Sequence, residues 1–245
     1  MHRFWVIPNP ENSREGFLSP EDTRHALSVL RLAEGDPVEA LSESGRFRAE
    51  IRSVEAGRIA VSLLEALPDP EPRLKVTLYQ GLPKADKMEW IVQKAVELGV
   101  SRIVPVMMTR SVSRPDSRDR LKKRERWQKI AREACKQSGR ILLPEVEPPL
   151  SVPEAADRLK GHSLSVIPWE ESRDAGPLAV FSRWPSVSDL GIVIGPEGGI
   201  DRSEMDLFLA AGGVPMTLGP RILRTETAGL SVISAFMALY GEMEG

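Results

Sequence analysis

The chain has 245 residues, 41% hydrophobic and 28% charged, with a formal net charge of −2. This composition suits a globular protein with a sizeable core and excludes a disordered chain. No window reaches the roughly 18 to 20 uninterrupted apolar residues of a membrane span, and the start Met1-His2-Arg3-Phe4-Trp5 lacks the apolar stretch of a signal peptide, so a cytoplasmic protein is expected.

From Val38 to Leu67 short alternating runs are broken by turn residues: Val38–Leu41, Arg46–Val54 and Ile59–Leu63 read as a β-meander. Leu67-Pro-Asp-Pro-Glu-Pro-Arg73 favours an extended backbone and marks a domain boundary near residue 70. The expected division is a small β-rich domain over residues 1–70 and a second domain over 74–245. After the linker the pattern becomes βαβ-like. Strands are predicted at Lys75–Gln80, Arg102–Met107, Leu164–Ile167, Leu190–Ile194 and Val214–Thr217. Helices are predicted at Lys87–Leu98, ending at Gly99, at Arg120–Lys136, and at Thr225–Tyr240. This alternation implies an α/β fold with a parallel sheet covered by helices. The terminal helix is apolar on most sides and must be buried in the core or against a second subunit.

Charge is unevenly spread. Between Arg110 and Arg140 there are twelve Lys/Arg against four Asp/Glu, whereas residues 1–72 carry eight against thirteen and residues 141–210 five against twelve. A basic segment in an acidic body is either a phosphate-backbone contact or a solvated helix face. Cys135 is the only cysteine and His2, His25 and His162 are far apart, so neither a disulfide nor a metal site is expected.

Two loops carry the chemistry. Ile192-Val-Ile-Gly-Pro-Glu-Gly-Gly-Ile-Asp201 is an apolar strand running into a glycine-rich turn and an acidic helix start. It lacks the spacing of a dinucleotide fingerprint and the Gly-Lys-Ser/Thr of a phosphate loop, and its one charged residue ahead of the helix is Glu197. A nucleoside with a positive centre and no phosphates fits such a turn; an ordinary strand-to-helix turn is the plain alternative. The second loop, Leu218-Gly-Pro-Arg-Ile-Leu-Arg-Thr-Glu-Thr-Ala228, places Ile222 and Leu223 between two arginines, a surface for a flat base, and Thr225 or Thr227 can cap the helix that follows.

Ile194-Gly-Pro-Glu-Gly-Gly199 and Leu218–Ala228 together closely resemble the knotted SPOUT-class methyltransferases, specifically the RsmE family, which methylates N3 of a uridine in small-subunit (16S) ribosomal RNA. The resemblance extends through Lys84–Gly99, Arg110-Ser-Val112, Arg126-Trp127, Gln137–Arg140, and His25 with Val29-Leu-Arg31, and so covers most of the chain. Ala85 departs from the glycine usual in the family, and Lys136 from a frequent glutamate. The resemblance implies a SPOUT-type knotted parallel sheet with helices on both faces, preceded by a small PUA-like β-barrel, and a homodimer. It implies S-adenosylmethionine held bent by three loops: Ile167, Trp169 and Glu170; Ile194, Gly195, Glu197, Gly198 and Gly199; and Leu218, Gly219, Ile222, Leu223, Arg224, Thr225, Thr227 and Ala228.

Methyl transfer to uracil N3 requires alignment of the acceptor, loss of one proton, and stabilisation of negative charge on O2 and O4. Arg110 and Arg224 are candidates for that stabilisation, with Glu197 or Glu226 orienting the base or accepting the proton; each is equally readable as part of a structural salt bridge. Cys135, among Ala131 and Ala134, reads as a packing residue, which argues against C5 methylation. RNA is expected on the basic segment through Arg110, Arg114, Arg118, Arg120, Lys122, Lys123, Arg126, Lys136 and Arg140, with Lys84 and Lys87 beside it and Arg3, Trp5 and Arg31 from the first domain. A ribose 2′-O-methyltransferase of the same superfamily and a non-catalytic RNA-binding assembly factor are the alternatives.

Overall fold

The computed structural model describes residues 1–245 apart from Glu43, Ala56, Arg114, Asp174 and Gly245 and the side chain of Ser117. The expected phosphate contact at Arg114 therefore lies outside the described residues. Two compact units result: Met1–Glu71 with Cys135–Leu143, and Pro72–Ala134 with Pro144–Gly245.

In the first unit β1 (His2–Asn9), β2 (Asn12–Leu18), α1 (Pro20–Ser28), β3 (Pro37–Ser42), β4 (Gly45–Glu55) and β5 (Arg58–Leu67) follow in order. The strands close a barrel in the order β1-β2-β5-β4-β3, sealed by parallel pairing of β1 with β3. Alternate residues point inward: Phe4 and Val6, Val38 and Ala40, Ala49 and Ile51, Ile59 and Val61 form its core. Helix α1, capped by the Ser19 side chain accepting from the Asp22 N–H, adds Ala26 to that core.

The segment Cys135–Leu143 is fastened to this unit by charge. Lys136 donates to Asp22 at 2.8 Å, and Arg3 donates to the Gln137 carbonyl at 2.7 Å and to Glu39 at 2.8 Å. Arg140, 5% exposed, forks onto Glu71, whose carboxylate also accepts the backbone N–H groups of Ile141 and Leu142. Arg140 therefore leaves the expected RNA-facing set, since breaking a buried pair costs about 3–5 kcal/mol, and Lys136 is committed to a partly buried pair. Arg3 is paired but one third exposed, and Arg31 is exposed.

The second unit contains β6 (Lys75–Gly81), α2 (Lys87–Glu97), β7 (Arg102–Met107), most of α3 (Ser117–Ser138), β8 (Glu145–Val146), β9 (Leu150–Ser151), α4 (Val152–Leu159), β10 (Leu164–Pro168), α5 (Pro177–Arg183), β11 (Asp189–Ile194), α6 (Arg202–Ala210), β12 (Val214–Met216) and α7 (Thr225–Leu239). Its sheet runs β12-β10-β11-β6-β7-β8, with β9 also on β7 and every pairing parallel. The central strands are buried along nearly their whole length, as a parallel sheet covered on both faces requires. Tyr79, Val104, Ile167 and Val193 pack with Leu159 of α4 and Phe208 of α6. Leu78, Gln80 and Ile194 point the other way, towards Gly229 of α7, which packs against α2. Val232, Ile233, Phe236 and Met237 of α7 are buried, while Leu230, Ala235 and Leu239 remain partly exposed.

Because β12, β10 and β11 are parallel neighbours, the loops that follow them leave the same edge of the sheet. That strand order places residues 168–173, 195–201 and 217–224 together.

Candidate active site

The three loops are held by a few specific bonds. The Trp169 N–H donates to the Met216 carbonyl at 3.0 Å and the Thr217 N–H to Ala175 at 2.8 Å, joining the first loop to the third. Thr225 does not cap α7; Arg224 is the capping residue and makes no side-chain bond to the helix. The buried Thr225 hydroxyl donates instead to the Gly195 carbonyl at 2.6 Å and accepts from Gln80 Nε2 at 2.8 Å, joining the third loop to the second. Gly81 ends β6 beneath that second loop: a Cβ there would lie 2.7 Å from Pro196, so only glycine fits. Gly199 has φ +75°, and its missing side chain leaves room for the Glu170 carboxylate.

Two adjoining cavities open between the loops. One, about 320 Å³, is lined by Ile194, Gly195, Glu197, Gly199, Leu223, Arg224 and Thr225 among others; the second, about 240 Å³, by Arg173, Thr217, Leu218, Gly219 and Arg221. Pro168, Trp169, Glu170, Ile222, Leu223 and Ala228 line both. Ile222 is 89% exposed, a large apolar side chain held at the cavity mouth. Of the expected cofactor residues, Ile167 lies under the site in the core, Gly198 sits against Arg110, and Thr227 lines a third cavity with Lys87, Trp90, Arg224 and Glu226. Arg173, Arg221 and Thr217 were not among the expected residues. The two arginines add cations that the glycine-rich loop does not itself supply.

Beside the larger cavity, Lys87 sits 2.9 Å from Glu197 and 3.2 Å from Glu226. Burial alone would raise the Glu197 carboxyl. Hydrogen bonds from Lys87 and from the Lys84 backbone N–H outweigh it and hold the group below its ordinary value. The hydrogen bond to Glu197 raises the Lys87 amine. Glu226 Oε2 is buried beside Lys87, and this second carboxylate also favours the charged amine.

Arg110 donates to the Gly198 carbonyl at 3.0 Å and lies 3.4 Å from Asp201. Its turn is fixed by Glu204, which accepts from the Thr109 N–H at 2.7 Å while closing a capping box with Asp201 at the start of α6. Of the expected RNA contacts, Lys84 and Lys122 are exposed, and Lys123 is partly exposed, near the Trp127 ring. Arg120 donates to the Pro115 carbonyl, and Arg126 pairs with Asp86 and Glu89 of its own unit. Lys129 and Arg132, which helical spacing would have added to Lys122, are exposed. Cys135 is fully buried, and burial pushes its thiol up to about 12, so it is no nucleophile at neutral pH.

A barrel ahead of a covered parallel sheet, with three loops meeting at one sheet edge, is the architecture of the knotted SPOUT-class methyltransferases. Residues 70–237 match the RNA methyltransferase domain model. The chain is 39% identical to the ribosomal RNA small subunit methyltransferase E of Bacillus subtilis, covering 96% of this chain and 95% of that protein. It is 32% identical to that of a Synechocystis strain, covering 97% and 78%. The crystal structure of a ribosomal RNA small subunit methyltransferase E from Neisseria gonorrhoeae, bound to S-adenosyl methionine, superposes with a TM-score of 0.85 at 32% identity over 99% of both chains. The chain belongs to the ribosomal RNA small subunit methyltransferase E family of RNA methyltransferases.

Proposed function

We propose that the chain transfers a methyl group from S-adenosylmethionine to N3 of a uridine in small-subunit ribosomal RNA. The observation that carries this reading is the two-lobed cavity: an apolar shelf of Ile222 and Leu223 shared by both lobes, with the Glu170 and Glu197 carboxylates for cationic centres and Arg173, Arg221 and Arg224 for an anionic one. Such a donor set fits a nucleoside carrying a sulfonium and an amino-acid arm. When bound, that group supplies a methyl that leaves sulfur, with the bonding pair staying on sulfur, as the acceptor attacks.

The chain's own residues handle the acceptor. Glu197 is held ionised by Lys87 and the Lys84 N–H, which makes it a weak base. Glu226, paired through Oε2 with the Lys87 that Glu197 holds more closely, takes the uracil N3 proton while the electron pair stays on N3. Arg224 offers a cation to the charge spread over O2 and O4. Arg110 braces the Gly198 carbonyl and so the second loop. RNA phosphates lie on the exposed cations of α3, Lys122, Lys129 and Arg132 among them. The protein works as a homodimer in the cytoplasm, the partly exposed Leu230, Ala235 and Leu239 of α7 meeting a second copy.

The test is transfer of labelled methyl from S-adenosylmethionine to small ribosomal subunits from cells lacking this protein, followed by mass spectrometry of the nucleosides. N3-methyluridine is expected. A ribose-methylated nucleoside overturns the base assignment, and absence of donor binding in calorimetry overturns the enzyme.

A further inference from the structure

Outside the donor cavity, α2 presents Trp90, 46% exposed, on a helix whose other large apolar residues are buried. Its ring lines a cavity of about 380 Å³ with Lys87, Arg224, Glu226 and Thr227. Lys87 and Arg224 also line the donor cavity, so the two spaces share a wall. The polar side of the Trp90 cavity holds the Glu226 carboxylate, whose buried Oε2 lies 3.2 Å from Lys87, and two cations, Lys87 and Arg224.

That pattern has a chemical complement. A hydrogen-bond acceptor accompanied by two cationic donors matches an imide edge, an N–H between two carbonyl oxygens, and among the RNA bases uracil presents that edge with N3 at its centre. Cytosine would place a ring-nitrogen lone pair against the Glu226 carboxylate and an amino group against a cation, both repulsive. An exposed indole beside these groups supplies a face on which an unstacked base can lie.

We propose that Trp90 is the platform on which the target uracil stacks, with Glu226 meeting the N3–H and Lys87 and Arg224 meeting its two carbonyls. The assignment rests on the uridine reading above and adds the residue that seats the base. It also gives a reason for rejection of cytidine.

The experiment compares wild type with Trp90→Ala, Trp90→Leu and Trp90→Phe, using unmethylated small ribosomal subunits and labelled S-adenosylmethionine. Each protein's urea midpoint, donor affinity by calorimetry and sedimentation are measured alongside. Stacking is worth roughly a tenfold to hundredfold change per base, so Trp90→Ala and Trp90→Leu lower kcat/KM by that factor with donor affinity unchanged. Trp90→Phe, which keeps a flat π face, recovers most of the loss. Leucine restores bulk without the face, so a Leu variant as active as Phe overturns the platform. Kinetics identical to wild type in all three overturn it too, as does a loss that follows only altered sedimentation. If wild type itself yields no N3-methyluridine, the uridine reading fails first, and independently.

Discussion

Replacing Thr225 with Val keeps the side-chain shape and removes one hydroxyl. In the native protein that hydroxyl donates to the Gly195 carbonyl at 2.6 Å and accepts from Gln80 Nε2 at 2.8 Å. Gln80 is wholly buried, its Oε1 has no hydrogen bond among the described residues, and its amide retains the Gly81 carbonyl at 3.0 Å. The variant leaves the Gly195 carbonyl and one Gln80 proton without these partners, at about 1–3 kcal/mol per buried group. The retained Gly81 bond and the added methyl, worth about 0.8 kcal/mol when buried, bring the net loss to about 2 kcal/mol. For a domain of this size that lowers Tm by roughly 4–8 °C, read by calorimetry, and S-adenosylmethionine affinity should fall with it as the Gly195 turn loosens. Thr225→Ser, which keeps the hydroxyl, should retain most of both. A Thr225→Val protein with wild-type Tm and wild-type donor affinity would refute the claim that this hydroxyl joins the second and third loops.

Ala85 has φ +51°, a conformation costing an L-residue roughly 1–2 kcal/mol. Ala85→Gly should therefore stabilise the fold by about 0.5 kcal/mol once the greater freedom of unfolded glycine is subtracted, read as a slightly higher urea midpoint; a lower midpoint contradicts the strain. Changing Lys122 and Lys123 together to Ala should weaken binding to small subunits and reduce the salt slope while leaving donor affinity unchanged, as filter binding and calorimetry will report. The Glu197 carboxyl lies below its ordinary 4.5 in the folded state, so its contribution to stability is present above that value and lost as pH falls through the lowered one. Glu197→Gln should flatten this acid limb of a Tm-against-pH curve, and an unchanged limb would count against the Lys87 pairing. Cys135→Ala should keep full methylation, because a thiol raised to about 12 supplies no thiolate at neutral pH; an inactive but folded variant would restore ring-addition chemistry.

Five strands of the second unit were legible because they are short apolar runs bounded by turn residues, and Arg102–Met107 was predicted to the residue, whereas β8 and β9, two residues each, are too short for any pattern. Helices α4 and α5, of eight and seven residues, were missed: each opens with a proline in its first turn and is too short for a clear period. In the first unit, β1 and β2 escaped the pattern because they alternate imperfectly, β1 carrying a register shift at Pro8/Asn9. Nothing local in Cys135–Leu143 shows that it joins the first unit, since its anchors Arg3, Asp22 and Glu71 are distant in sequence. The same separation misled the reading of Lys136 and Arg140: a basic stretch shows charge but not the carboxylate that neutralises it. At the site, the glycine and arginine loops were readable as motifs. Their convergence depends on strand order, which no single sequence displays, and so do the Lys87–Glu197–Glu226 arrangement and the place of Trp90 beside it.

The bond between Thr225 and Gly195 also orders events during synthesis. The glycine turn emerges from the ribosome thirty residues before its partner hydroxyl. Until that threonine arrives the donor cavity lacks a wall, so a nascent chain in which sheet strand β11 has already been made still cannot grip a nucleoside. With that cavity as the donor site, binding should require a chain long enough to include the third loop, as calorimetry on a chain ending before Thr225 would check.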